Sequence, residues 1–545
     1  MYVNPDSIRT AYPSAWPQHP FNEPPKTPEQ SLPKYSIYTE EGIRIPMRDG
    51  VNLAADVFRP YAPGEKFPAL VAWSPYSRQL QQTLVPIGQN EAGITEFWTP
   101  RGYVHAVVDA RGSNDSEGAW DFCGPIEQQD LAETIEWVAS QPWCNGRVGM
   151  VGCSYYGRSQ ILVAGRHQPP SLKAVFPYDA ATDMYRDSCF HGGIPSDGFL
   201  RGWFANMSYL NFWGGRLKDR SGFERHIQTA LGQKYPLDCE YYQERSSWPR
   251  LDRIKAPAYF GCDWQFYHLH LRGAFSGWEG VHNVPKRMLV GPLPQPRRPF
   301  ANYHLEALRW YDHWLKDMDT RVMEGPPIQL YVQGENTWRS ESEWPLARAE
   351  WRELYLAGPA GGLEGTLSDA PGPEGGRTYE YDPLSSESRY GNPRLIYRTE
   401  PQAKAMEVTG PIVLYLRAQS SGEDTDWFVS FMDEDPQGGA KTLTKGWLRA
   451  SHREIDESRS RPWQPWHPHT RQIPLTPNQA EEFAIEVIPT CNLFRPGHRL
   501  RIEIASCDSV ADNFFWYHAA LAIRAKNTIL EGKGGSRLLV PVIPR

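Results

Sequence analysis

Arg147-Val-Gly-Met-Val-Gly-Cys-Ser-Tyr-Tyr-Gly-Arg158 decides the fold. Residues 148–153 form a short apolar run, the signature of a buried strand, and Gln160-Ile-Leu-Val-Ala164 reads as a helix. Between them lies Gly152-Cys153-Ser154-Tyr155-Tyr156-Gly157, with glycines on either side of one serine. A strand that turns directly into a helix exposes the residue at its apex. Small neighbours are needed there because strand and helix approach closely. Ser154 is therefore the candidate nucleophile. The backbone N–H of Tyr155 points at the same apex, where the helix N-terminus favours a developing oxyanion. The spacing is G-x-S-x-x-G rather than G-x-S-x-G, so the strand before it and the helix after it carry the reading. In this geometry Cys153 points into the core, which removes it as a nucleophile.

Outward from the elbow, strands alternate with helices. Short apolar runs recur at Ala69–Trp73, Val104–Asp109, Ala174–Pro177, Ala258–Cys262 and Met288–Val290. Leu131, Ile135 and Val138 mark one helix face, and Leu305, Leu308 and Leu315 another. Before the alternation begins, two strands over residues 43–58 meet at Asp49-Gly50, a strong hairpin-turn dipeptide. This pattern predicts a mostly parallel sheet covered on both faces, an α/β domain built from residues 36–181 and 251–350. Residues 182–250 interrupt it. They are rich in Trp, Tyr, Gly and Arg without a clear strand, and read as an inserted helical cap. From Trp351 the texture changes to period-two runs such as Phe483–Val487 and Leu500–Ile504 between Gly/Pro-rich loops, predicting an antiparallel β-sandwich over 351–545. Residues 1–35 are proline-rich and predict an extended arm.

A chain of 545 residues exceeds one hydrophobic core, so several domains are expected. A net charge of −7, with the basic residues scattered, gives no footprint for nucleic acid or an anionic membrane. No apolar run of about 18 residues is present to span a bilayer. The eight cysteines show neither a disulfide framework nor zinc spacing, which fits free thiols and a cytoplasmic location. No cofactor or metal is expected, the partner is a small-molecule substrate, and homo-oligomerisation stays open. Trp466-His-Pro-His looks like a metal pair, yet its prolines hold it extended with no further ligand nearby. His191-Gly-Gly reads as a tight turn, with lining of the substrate pocket as its functional alternative.

The chain resembles the cocaine esterase / X-prolyl dipeptidyl-peptidase family of α/β-hydrolases, which also holds α-amino-acid ester hydrolases and acylases. The resemblance rests on Met47-Arg-Asp-Gly-Val-Asn-Leu, Ser74-Pro-Tyr76, Asp109-Ala-Arg-Gly-Ser113, Gln141–Met150, Ser154-Tyr155, Arg309–Lys316, Asp424-Thr-Asp-Trp427 and Gly446–Arg453. It covers roughly residues 36–545. It implies an α/β-hydrolase domain with an inserted helical cap, followed by an all-β jelly-roll sandwich domain. It also implies that the Tyr76 phenol donates a second hydrogen bond to the oxyanion, and that Arg111 braces the nucleophile loop.

The rest of the triad departs from the family pattern. Its acid usually stands in a Trp-x-Asp stretch, where this chain has Gln265 or Phe266, with Asp263 slightly early. Its histidine usually follows Gly-Pro-Trp, but Gly291-Pro-Leu-Pro-Gln-Pro-Arg-Arg-Pro contains none. His304 is the nearest histidine downstream, and His268 and His270 lie in the acid's loop; His313, further along the helix, reads as structural. Three functions follow. One is an esterase or amidase with a rebuilt triad, Asp263 as acid and His304, His270 or His268 as base. The second is non-hydrolytic chemistry on the same oxyanion donors, such as acyl transfer, condensation or cyclisation. The third is a ligand-binding pseudoenzyme.

Overall fold

Asp49-Gly50 turns the chain as expected. Strand β1 (Ile37–Pro46) returns antiparallel as β2 (Asn52–Pro60), with Ile45 opposite Leu53. The computed structural model describes residues 30–81, 91–212, 220–292, 300–358, 361–388, 393–509 and 516–545. Most of the arm expected over 1–35 lies outside them.

Each apolar run in the first part of the chain is a strand. They are β3 (Phe67–Ser74), β4 (Val104–Asp109), β5 (Cys144–Met150) and β6 (Leu172–Val175). A small hairpin, β7 (Phe190–His191) and β8 (Ile194–Pro195), precedes β9 (Ala258–Asp263), β10 (Lys286–Gly291), β11 (Ile328–Val332) and β12 (Thr337–Glu341). The main sheet runs β1-β2-β4-β3-β5-β6-β9-β10-β11-β12. Its central strands from β4 to β11 are mutually parallel, and only its edges are antiparallel. Alternate residues of β3 show why both faces must be covered. Ala69, Val71 and Trp73 join one hydrophobic cluster, while Leu70 and Ala72 join another on the opposite face. The helix Pro125–Ser140 supplies Leu131, Ile135 and Val138 to the first, and Phe300–Lys316 supplies Leu305, Leu308 and Leu315 to the second.

Residues 182–250 are mainly helical, with a π-helical turn at Met184–Cys189 and helices at Asp197–Phe212, Arg220–Ala230 and Glu240–Glu244. The β7–β8 hairpin is a departure from the strandless expectation. Its turn, Gly192-Gly193, lies so close to the last domain that a Cβ on Gly192 would stand 2.0 Å from the Trp447 carbonyl oxygen. From Glu350 to Ile543 the chain builds an eleven-stranded sheet around its own core. The strand Met406–Ser420 pairs with Glu481–Phe494, Ala525–Glu531 and Arg537–Ile543, which helps fold this sheet back on itself. One pair, Glu364–Ser368 with Leu395–Arg398, is parallel, against the purely antiparallel expectation.

Arg111 does something other than brace the nucleophile loop. Its guanidinium bonds both oxygens of Asp130 (2.5 and 2.7 Å) and both of Asp49 (2.8 and 3.1 Å), tying the β1–β2 turn to the helix Pro125–Ser140. The loop after β4, which carries Arg111, is also held by Arg78, whose guanidinium meets Asp56, Asp109 and Asp115. An arginine buried on an α/β turn takes the nearest carboxylates, and sequence distance does not reveal which those are.

Candidate active site

Ser154 stands between β5 and the helix Tyr155–Arg166 with φ 61° and ψ −118°. A positive φ at a non-glycine residue costs energy, and at the apex of an elbow that strain keeps the side chain presented outward. The surrounding packing holds it there. The Ser154 amide donates to Tyr178 O (3.1 Å), and the Cys153 amide donates to Glu91 O (3.0 Å). Gln160 donates to Gly152 O (3.0 Å) and accepts from the Phe176 amide (2.8 Å), lashing the elbow to the chain just past β6. Both flanking glycines are sterically required. A Cβ on Gly157 would stand 2.5 Å from Tyr178 O, and one on Gly152 would stand 2.4 Å from Tyr156 Cβ. Cys153 is fully buried, as the elbow geometry predicts.

Above the elbow is a partly open cleft. Ser154, Tyr155, Tyr76 and His270 all line it, with Trp203 and Phe199 from the inserted helix Asp197–Phe212. Tyr76 follows β3 and packs its ring 6.0 Å from Tyr155 and 6.4 Å from Trp203. The Trp203 indole donates to the Tyr76 hydroxyl oxygen at 3.0 Å. A phenol that accepts there keeps its own hydrogen for an acceptor elsewhere. Nothing in the sequence links these two residues, because they stand 127 positions apart.

Behind the cleft, Tyr155 donates from its phenol to Glu127 (2.8 Å). Glu127 also accepts from the Trp73 indole (3.2 Å) and the Cys123 amide (2.9 Å). Burial first, and then the neighbouring Cys123 and Glu127, push the Tyr155 phenol well above its ordinary range, so it stays protonated. Burial pushes Glu127 up to about 7 against these three hydrogen bonds. The folded chain therefore keeps a proton that the unfolded chain releases near pH 4.5. Stability from this proton is complete below the unfolded value and is lost as pH rises through about 7. Denaturant unfolding should show wild type losing up to about 3 kcal/mol between pH 4.5 and 8, relative to Glu127→Gln, whose amide does not titrate. A stability difference between the two that stays constant with pH would contradict this assignment.

The other candidates for the triad have these surroundings. Asp263 is fully buried at the end of β9, where its Oδ1 accepts from the Tyr178 phenol at 2.9 Å. Through Tyr178, whose carbonyl receives the Ser154 amide, it supports the elbow from beneath. Asp263 is not part of the cleft lining, and neither is His304, whose ring meets Phe97 edge-on at 4.7 Å. His268 is buried with its ring stacked on Trp516 (5.4 Å). His191 ends β7, just before the hairpin turn, and faces His518 at 2.7 Å, while His518 in turn meets Asp508 at 2.5 Å. His313 Nδ1 makes a hydrogen bond with the Met318 carbonyl (3.3 Å), just past the end of its helix. The ring nitrogens of His467 face the backbone carbonyls of Glu454 (2.9 Å) and Ala484 (2.8 Å), which leaves them unsuited as metal ligands. Among the described residues no helix is long and apolar enough to cross a membrane.

Two family models divide the chain between them. The X-Pro dipeptidyl-peptidase (S15 family) model matches residues 49–293, and the X-Pro dipeptidyl-peptidase C-terminal non-catalytic domain matches residues 320–535. The chain belongs to the cocaine esterase / X-Pro dipeptidyl-peptidase family of serine-type hydrolases. Cocaine esterase from Rhodococcus sp. is 28% identical, across 87% of this chain and 91% of that protein. The crystal structure of a CocE/NonD family hydrolase from Staphylococcus aureus superposes with a TM-score of 0.81 at 27% identity, covering 97% of this chain and all of that one. An α-amino acid ester hydrolase structure shares the fold, with a TM-score of 0.75 at 20% identity and coverage of 96% and 99%. The α/β-hydrolase domain and the all-β domain behind it are thus those of this family.

Proposed function

We propose that the chain hydrolyses an ester or amide of a small molecule through an acyl-enzyme on Ser154. In this reading His270 takes the Ser154 proton as Oγ attacks the scissile carbonyl carbon. The oxyanion that forms is held by the Tyr155 amide and the Tyr76 hydroxyl. His270 then passes the proton to the leaving oxygen or nitrogen, and water clears the acyl group by the same steps in reverse. The observation that carries the reading is the convergence of Ser154, Tyr155, Tyr76 and His270 on one cleft. His304 and Asp263, outside that lining, are assigned to packing and to bracing of the elbow. The helices over 182–250 serve as the cap that shapes the substrate pocket, since Trp203 and Phe199 reach the cleft from them. The name of the Rhodococcus relative, an esterase, supports ester cleavage here. The eight cysteines, all free, support a reducing, cytoplasmic setting.

A fluorophosphonate probe followed by peptide mass mapping tests the proposal. One covalent adduct, located on Ser154, is the expected result. Folded protein that carries no adduct at Ser154 would remove the acyl-enzyme mechanism.

A further inference from the structure

The cleft is walled by aromatic and aliphatic side chains, yet one cation lines it. Arg158 lies one helical turn beyond Ser154, on the same face of the helix, with its amide bonded to the Ser154 carbonyl at 2.8 Å. Its guanidinium leans on the π-helical turn Met184–Cys189. There Nη1 stands 3.2 Å from Met184 Sδ, and Nη2 donates to Ser188 Oγ. Both partners are neutral, and among the described residues no carboxylate pairs with it.

Arg158 is half-buried, and the fully buried arginines of the molecule are treated differently. Arg78 meets three aspartates, Arg186 meets Asp183 and Asp238, Arg272 meets Asp187 and Glu486, and Arg245 meets Asp121. Arg287, without a carboxylate, is held by the backbone carbonyls of Glu324 and Pro326. A guanidinium stays charged at any working pH, and withdrawing it from water is costly unless an anion answers it. A thioether and a hydroxyl answer it poorly. Its planar fork matches a carboxylate bidentately, which a neutral ligand cannot reproduce.

We propose that Arg158 is a specificity-determining residue that binds a carboxylate carried by the substrate. The substrate class is then an ester or amide that also bears an anionic group, with that group on Arg158 and the scissile carbonyl at Ser154. This rests on the hydrolase reading above for its second half, the placement of the reacting carbonyl.

The test compares two nearly isosteric probes, 4-nitrophenyl hydrogen adipate and 4-nitrophenyl methyl adipate, each corrected for its reaction without enzyme. Wild type should favour the anionic probe about 10- to 100-fold in kcat/KM, the range for a hydrogen-bonded charge pair. Arg158→Met should bring that ratio close to one, and Arg158→Lys should restore part of it. A wild-type ratio near one, or a preference that survives in Arg158→Met, overturns the proposal while leaving the hydrolase reading intact. Should neither probe be turned over and Ser154 resist labelling, the hydrolase reading fails. Arg158 is then decided by calorimetric titration with adipate. Wild type binding at least about tenfold tighter than Arg158→Met supports the anion site, and equal or absent binding rejects it.

Discussion

Ester turnover by Ser154→Ala is expected to fall roughly 10⁴- to 10⁶-fold, the loss that follows removal of a triad nucleophile. Tyr76→Phe should cost about 10²- to 10³-fold, the effect of deleting one oxyanion donor. The order of the two separates the chemistries open to this scaffold. An acyl-enzyme needs the Ser154 oxygen in a covalent bond, so its loss must outweigh loss of a hydrogen-bond donor. Non-hydrolytic chemistry on the same donors would need only the polarised carbonyl. In that case Ser154→Ala keeps most activity while Tyr76→Phe loses it, and the acyl-enzyme mechanism is wrong. The pair is informative because Trp203 already occupies one lone pair of the Tyr76 hydroxyl at 3.0 Å, which steers its hydrogen. The phenylalanine ring keeps the ring contacts with Tyr155 and Trp203 and removes the hydroxyl, which is both the proposed donor and the acceptor of the Trp203 indole. Initial rates on one ester, with labelling of Tyr76→Phe as a fold control, provide the measurement.

The elbow was legible because each of its residues answers a local demand. Gly152 and Gly157 are glycines since backbone or a packed ring occupies the place of a Cβ, and a buried strand leads into an apolar helix. The strand runs and the faces of Leu131 and Leu305 were legible for the same reason, as period and burial are written locally. The positions of the polar groups were not. His270 and His268 stand two residues apart in one loop, yet one lines the cleft and the other stacks on Trp516, from the far end of the chain. His304 lies near the start of a helix whose periodicity turns Leu305 and Leu308 inward, but its ring meets Phe97, some two hundred residues earlier. Arg158 ends the very stretch that decided the fold. Its meaning needed Met184 and Ser188, which the insertion brings over it. Glu127 stands in the first turn of a helix, and its surroundings are set by Tyr155, Trp73 and Cys123, none of which sequence spacing points to.

Gly152→Ala should be among the most destabilising single-methyl additions in the chain. Gly152 adopts φ +125°, where L side chains rarely go, and its new Cβ would meet Tyr156 Cβ at 2.4 Å and Glu91 O at 2.8 Å. Neither neighbour can give way cheaply. Tyr156 is fully buried on the helix that starts at the elbow, and the Glu91 carbonyl already holds the Cys153 amide. Moving the backbone instead would break the bond from Gln160 to Gly152 O. Gly50→Ala is the matching control, with φ +82° at an exposed turn and nothing within 4 Å of the added carbon. It carries the conformational cost alone, about 1–2 kcal/mol. Gly152→Ala adds overpacking to that cost, for a total of about 4 kcal/mol or more, in the exceptional range for a single substitution. Denaturant midpoints of the two variants decide the matter. Equal losses would mean that the elbow relaxes freely, and then the strain at Ser154 could not be held by its packing either.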